Sequence, residues 1–205
     1  PRPDAQGLPA GSPAPGFVPS RKVRVFPRDA AVRFRGAVHE TVEASVAEAG
    51  IPVVAGDAVV HHLGTLRDDP AKRARYRRLA AAKAERQPHD GGAWAELAEA
   101  CLWDDDRAAA LAAIARAARA EPDRPEHALT EGLLRLEAGA TDVAWPLLAR
   151  AAASPLLDDA RRAEALHALG RIALGRGGLA EAGALLARAV RLEPQDGQIW
   201  NTLGV

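Results

Sequence analysis

The sequence predicts a mostly α-helical solenoid preceded by a small segment of mixed α and β structure. A pattern of apolar and small residues returns at fixed offsets from residue 91 to the end of the chain. Its central small residue falls at Ala98, Gly132, Gly170 and Gly204, so the copies are separated by 34, 38 and 34 residues. The residues before 70 lack this pattern and carry short β-branched runs instead. These observations together separate a repeat array from the segment that precedes it.

The repeat pattern is specific because several positions recur together. The first copy contains eight of them: Trp94, Leu97, Ala98, Cys101, Ala110, Ile114, Ala117 and Pro122. A later copy has the same offsets: Leu166, Leu169, Gly170, Ala173, Ala182, Leu186, Ala189 and Pro194. The copy between them keeps five: Ala128, Gly132, Ala144, Leu148 and Ala151. Trp200, Leu203 and Gly204 open a fourth. A 34-residue period of this kind is typical of the tetratricopeptide repeat.

Each repeat is expected to be an antiparallel pair of helices, because neither helix can bury its apolar face alone. With the central small residue numbered as position 8, small residues there let the two helices approach closely. The predicted helices span 92–104, 107–120, 125–138, 141–153, 159–175, 179–192 and 197–205. Pro122 and Pro194 end second helices, since proline cannot continue a helix beyond its first turn. Pro146 lies inside a helical stretch and predicts a kink.

The segment before the repeats divides into three parts. Residues 1–20 are rich in proline and glycine and are expected to be a loop or disordered. Residues 21–69 predict short elements: a hairpin of 21–26 and 32–38, a helix within 40–50, and strands at 51–54 and 58–62. Residues 70–90 predict a connecting basic helix that starts at Pro70 and runs to about Arg86.

Composition restricts the class of protein. Lysine plus arginine equals aspartate plus glutamate at 27 each, so no bulk charge indicates nucleic acid as a partner. No apolar run approaches the roughly 20 residues that span a bilayer.

Cys101 lies at a packing position and is expected to be a buried small residue in a reducing compartment, which favours the cytoplasm. The chain contains no methionine, and we expect both ends to be cuts through a longer protein.

Four short motifs precede the repeats in a fixed order. They are Arg24-Val25-Phe26-Pro27-Arg28, then Phe34-Arg35-Gly36-Ala37-Val38-His39-Glu40, then Val60-His61-His62-Leu63-Gly64, and then residues 72–79. In this order, ahead of repeats, they resemble the end of the catalytic domain in family-2 glycosyltransferases that carry tetratricopeptide repeats behind a GT-A domain. Thr65 departs from the tyrosine that the family prefers. The resemblance implies that 21–69 is the C-terminal part of such a domain.

The resemblance also implies a chemistry. GT-A enzymes transfer a sugar from a nucleotide sugar to an acceptor, using a divalent metal, Mg or Mn, that neutralises the leaving diphosphate. The resemblance implies that His62 is the metal ligand. It also implies that His39 and Glu40 lie on the acceptor side, with Glu40 as a base or substrate contact. The alternative is that all three are polar residues at strand ends that hydrogen-bond to loops.

The nucleotide-binding half of such an enzyme is missing from the chain. No Asp-x-Asp motif occurs before residue 21, and the fragment alone is therefore expected to be inactive. Asp104-Asp105-Asp106 matches the Asp-x-Asp motif, but it lies in a turn between repeat helices and is interpreted as a helix N-cap. The basic helix allows a nucleic-acid site. A solvated face, or a joint between catalytic domain and repeats, is favoured because aromatic residues other than Tyr76 are lacking.

The repeats themselves offer a second function, that of a non-catalytic protein-interaction scaffold. Their concave face is expected to use positions 2, 5, 9, 12 and 13 of the repeats. These residues are Ala95, Glu99, Leu102, Trp103, Leu129, Leu133, Leu136, His167, Arg171 and Leu174. The face is mostly apolar, and Arg171 is its one cation. It therefore favours an apolar helix or extended peptide, or the chain's own catalytic domain, over a carboxylate-clamped peptide.

Overall fold

The computed structural model describes residues 22–35, 41–56 and 69–204. It divides the chain into two compact units, Pro1–Leu79 and Ala80–Val205. The described residues form nine α-helices and no strand, so the mostly helical fold class is confirmed. The helices are α1 (Glu43–Glu48), α2 (Pro70–Arg86), α3 (Gly91–Trp103), α4 (Arg107–Ala120), α5 (Pro125–Glu137), α6 (Thr141–Ala153), α7 (Asp159–Gly175), α8 (Leu179–Leu192) and α9 (Gly197–Leu203).

The first unit is held together around the short helix α1. Val42 and Val46 are almost fully buried, and Ser45 lies beside them. The Ser45 hydroxyl accepts a hydrogen bond from the Arg33 amide at 2.9 Å and lies 2.8 Å from the Arg33 carbonyl. Arg35 pairs with Glu48 through both guanidinium nitrogens, at 2.7 and 2.6 Å. The predicted helix within 40–50 is therefore present, and it anchors the extended chain before it.

The predicted strands are wrong wherever the structure describes them. Residues 22–26, 32–35 and 51–54 form no strand, and one isolated antiparallel bridge joins Arg35 to Thr41. The alternation does not bury one face, since Val25 is 93% exposed and Val54 is 85% exposed. Alternation predicts a strand when one of its faces is buried, and that condition fails here. The strand predicted at 58–62 lies outside the described residues.

The second unit is the repeat array, and its helices agree with the predicted ones at nearly every boundary. Each repeat pairs two helices: α3 with α4, α5 with α6, and α7 with α8; α9 then packs on α8. The basic helix predicted within 70–90 is α2, and its residues from Ala80 on belong to this unit. Ala84 is fully buried in the cluster that contains Trp94 and Ala98. Lys83 pairs with Glu96 on α3 at 2.6 Å.

The paired helices of the second and third repeats approach each other closely at position 8. A Cβ added to Gly132 would lie 2.8 Å from the Leu148 side chain, and one added to Gly170 would lie 2.7 Å from Leu186. Both leucines are at most 1% exposed, so neither has solvent to move into. The absence of a side chain at these glycines therefore sets the distance between the helices.

Hydrogen bonds from side chains fix the turns between helices. Trp94 donates its indole N–H to the carbonyl of Pro88 at 3.0 Å, and Trp200 donates to Pro194 at 2.9 Å. Asp106 caps α4 by accepting from the Ala109 amide, which confirms the predicted N-cap in the aspartate cluster. Each bond satisfies a polar group that the helix ends would otherwise leave unpaired.

The four-residue insertion before the third repeat is absorbed as an extra turn of helix. α7 has 17 residues, whereas α3 and α5 have 13 each. Because four residues make about one helical turn, the apolar face of α7 keeps its orientation. α6 runs without interruption from Thr141 to Ala153 across Pro146, and the kink predicted there stays a prediction.

We predict that Gly170→Ala destabilises the array. The added methyl group would overlap Leu186, and overpacking of a close-packed site typically costs about 1–3 kcal/mol. The urea midpoint of unfolding, followed by circular dichroism, should fall accordingly.

The matched control is Gly183→Ala in α8. An added Cβ there meets nothing within 4 Å, and alanine has the higher helix propensity by up to about 1 kcal/mol. This variant should be as stable as the wild type or more so. An unchanged midpoint for Gly170→Ala would contradict the close-approach interpretation.

Candidate functional site

The first helices of the repeats, α3, α5, α7 and α9, form the inner face of the array. α5 contacts α7 directly, whereas the second helices α4 and α6, or α6 and α8, share no comparable contact. His167 on α7 also reaches α9, with its Nε2 2.8 Å from the Thr202 hydroxyl. Since α5 and α7 lie nearer each other than α4 and α6 or α6 and α8 do, this part of the array curves with its first helices inside.

In the first repeat, the structure places the predicted binding residues at the surface of α3. Glu99 is exposed, Trp103 is 44% exposed, and Ala95 and Leu102 are half-buried. Leu102 also packs against the core cluster around Trp94. This part of the inner face therefore combines an accessible apolar edge with one carboxylate.

In the second repeat, the predicted residues are less accessible than in the first. Leu129 is 5% exposed and belongs to the core cluster that includes Ala168 and Ile172 of α7. Leu133 and Leu136 are half-buried and pack against the same cluster. The direct contact between α5 and α7 thus covers Leu129, which serves the core and offers no surface to a partner.

In the third repeat, the inner face of α7 is polar at one end and apolar at the other. Partial desolvation raises the pKa of Glu164, which is exposed at the surface, against the opposing effect of Arg161. Burial also lowers the pKa of His167 below its usual 6.5, and the nearby Arg171 acts in the same direction. Arg171 is exposed and Leu174 is 37% exposed.

Position 12 carries the same residue in every complete repeat. Leu102, Leu136 and Leu174 occupy equivalent places on α3, α5 and α7, and each retains some exposure. We call these three residues the leucine row. Apolar side chains in this arrangement can bind by burying surface, and the row is flanked by Glu99 and Arg171, one charge of each sign.

The residues predicted for catalysis lie outside the described residues. These residues are His39, Glu40 and His62.

Among the described residues, no group of three or more histidine, cysteine, aspartate or glutamate side chains could hold a metal ion. None of the helices described here combines the length and apolar composition needed to cross a bilayer.

Sequence reasoning missed two recurrences that the structure makes evident. Pro88 lies 34 residues before Pro122, so the turn between α2 and α3 is built like the turns between repeats. Arg116, Arg150 and Arg188 share position 26 on the second helices. Both recurrences could have been found by extending the 34-residue comparison beyond the apolar positions.

Comparison with known proteins supports the fold. The chain resembles PilF of Pseudomonas aeruginosa, with 18% identity, 69% of this chain and 62% of that chain covered, and a TM-score of 0.59. It resembles MamA of Desulfovibrio magneticus RS-1 at 20% identity over 64% of this chain and 72% of that chain, with a TM-score of 0.57. TTC0263, a TPR protein of Thermus thermophilus, matches at 24% identity over 69% of this chain and 74% of that chain, with a TM-score of 0.50.

These likenesses confirm the tetratricopeptide repeats as a fold. The chain spans less than two thirds of the PilF chain. No protein-family model and no curated protein matches the sequence.

The prediction that the chain is part of a glycosyltransferase is wrong. The solved structures that it resembles, among them PilF, MamA and the TPR protein TTC0263, share the repeat fold, and none of these is a glycosyltransferase. The resemblance rested on motifs of a few residues each, and strings so short occur in unrelated proteins. The nucleotide sugar, the acceptor and the divalent metal were expected only because of that resemblance.

We predict that His167 titrates below pH 6.5 in the folded protein, because burial disfavours the imidazolium form. The unfolded chain then binds the proton more readily, so stability falls as pH falls through 6.5 toward the lowered pKa. An NMR titration of the imidazole resonance measures the pKa. The His167→Gln variant assigns the resonance. Its urea midpoint of unfolding should fall less between pH 8 and pH 5 than that of the wild-type protein. A folded-state pKa at or above 6.5 would contradict the prediction.

Proposed function

We propose that the repeat array is a protein-interaction scaffold whose inner face binds the apolar face of a partner helix or an extended peptide. The observation that carries this proposal is the leucine row, Leu102, Leu136 and Leu174, repeated at one position along the inner face. A groove lined by regularly spaced apolar side chains suits a partner with apolar anchors at regular spacing.

The charges on this face argue against an acidic peptide as its ligand. Binding a carboxylate typically needs several lysine, arginine or asparagine side chains, and among the predicted positions Arg171 is the one cation. Glu99 places a negative charge on the same face. A partner helix with an apolar stripe and a mixed-charge border fits this surface better.

Magnitudes indicate how much contact the partner must make. Complete burial of a leucine contributes about 1.5–3 kcal/mol, and Leu174 exposes only 37% of its surface before binding. Each member of the row therefore contributes roughly 1 kcal/mol or less. A micromolar complex needs about 8 kcal/mol, so the partner must extend beyond the row onto neighbouring parts of the inner face.

Cys101 supports a cytoplasmic location as part of the same proposal. It is the single cysteine of the sequence, and it is buried among repeat-packing residues. Chains that build no disulfide framework are usual in reducing compartments.

We predict that Leu174→Asp weakens partner binding, because a charge on the leucine row must be desolvated when an apolar partner covers it. The matched control is Leu179→Asp, which introduces the same side chain on α8, where Leu179 is 73% exposed. Partners captured by the wild-type protein are identified by mass spectrometry. Their recombinant forms are then titrated against both variants by calorimetry.

The expected result is a loss of affinity of about tenfold or more for Leu174→Asp, with wild-type affinity for Leu179→Asp. Equal affinity of both variants for every captured partner would contradict the proposal. Equal loss in both variants would also contradict it, because it would show that the inner face has no special part in binding.

A further inference from the structure

A pocket of about 180 Å³ opens at the end of the third repeat, where the start of α7 meets the end of α8. It is lined by Ala152, Arg162, Leu166, Arg188, Arg191 and Leu192. Three of the six lining residues are arginines and the other three are apolar. None of them belongs to the predicted inner face, so the pocket is distinct from the leucine row.

Two departures of the third repeat from the first meet in this pocket. Position 4 is Trp94 in the first repeat and Leu166 in the third, so a smaller side chain stands where the indole would be. The extra turn of α7 adds Arg162, and the first repeat has no corresponding helical residue. The pocket thus lies where the third repeat departs from the first.

The first repeat shows what fills the equivalent space. There the Arg116 guanidinium lies over the Trp94 ring, 4.6 Å from its centroid. Arg188 is the counterpart of Arg116, and Leu166 is the counterpart of Trp94. The third repeat thus keeps the arginine but lacks the aromatic ring that the arginine covers elsewhere in the chain.

The arginines of the pocket are incompletely paired within the described part of the chain. Arg162 bonds Asp159 at 2.5 Å through Nη2, yet its Nε is buried without an acceptor. No carboxylate of residues 22–35, 41–56 or 69–204 lies within ion-pair distance of Arg188 or Arg191. Burial of a donor without an acceptor is unfavourable, and an anionic ligand would satisfy it.

The geometry points to a binding site for an aromatic side chain flanked by carboxylates, presented by an acidic segment of a partner protein. The ring enters the space that Trp94 fills in the first repeat and stacks under Arg188, and the carboxylates bind Arg162 and Arg191. Leu166 and Leu192 supply the apolar floor for the ring. Cation–π stacking and charge-assisted hydrogen bonds act together there.

The size of the pocket excludes larger ligands. Sites for drug-sized molecules and cofactors typically enclose about 300–1,000 Å³, and this pocket has about 180 Å³. It accommodates one side chain and leaves no room for a nucleotide. A free inorganic anion would use the arginines but not the apolar floor, so the two ligands can be separated by experiment.

The test uses the full chain and a pentapeptide, acetyl-Glu-Asp-Trp-Asp-Glu-amide, titrated by calorimetry and by NMR. Arg188→Gln should weaken binding about tenfold, the size expected for losing one interaction with a charged group. Leu166→Trp should abolish binding by filling the pocket without changing any charge. Circular dichroism verifies that both variants are folded. If Leu166→Trp does not fold, Arg188→Gln still tests the site.

The matched control is Arg150→Gln, which removes the same charge from an exposed residue at the same repeat position. It should bind the peptide as the wild type does. Absence of binding at millimolar peptide would overturn the proposal, and so would equal losses for Arg150→Gln and Arg188→Gln. Equal binding by a peptide with alanine in place of tryptophan, or competition by inorganic phosphate at the same concentration, would overturn it in favour of a simple anion site.

Discussion

The close approach of the two helices within each repeat is the constraint on which the rest of the structure depends. Gly132 and Gly170 lie against Leu148 and Leu186, and both leucines are buried. This contact brings the small residues of the second helices into the core, among them Ala144, which is fully buried. Because helices packed so tightly cover only part of their apolar surface, the next repeat must cover the remainder.

Most of the repeat array could be predicted because the information is local and is repeated. The same offsets that identify position 8 also place the helix ends, and the structure agrees to within one or two residues. The segment before the repeats has no such internal check. Its valine-rich runs suggested strands, but Val25 and Val54 point away from any core. A strand depends on a distant partner, and nothing in a short run of residues specifies one.

The functional surfaces were harder to predict than the helices, because they arise where the repeats differ. Leu129 occupies a position expected on the inner face, yet the direct contact between α5 and α7 buries it. The pocket between α7 and α8 lies where the third repeat has Leu166 in place of the Trp94 of the first repeat, and where the extra turn of α7 carries Arg162. Each change is visible in the sequence, but their convergence at one place depends on how α7 and α8 pack.

Native-state hydrogen exchange on the whole chain carrying Leu148→Ala tests most directly whether the repeats depend on one another. Leu148 is fully buried in the cluster that joins the second and third repeats, and its truncation should cost about 2–5 kcal/mol. If neighbouring repeats share their stability, exchange should accelerate in α7 and α8 as well as in α5 and α6. Acceleration confined to α5 and α6 would contradict this account.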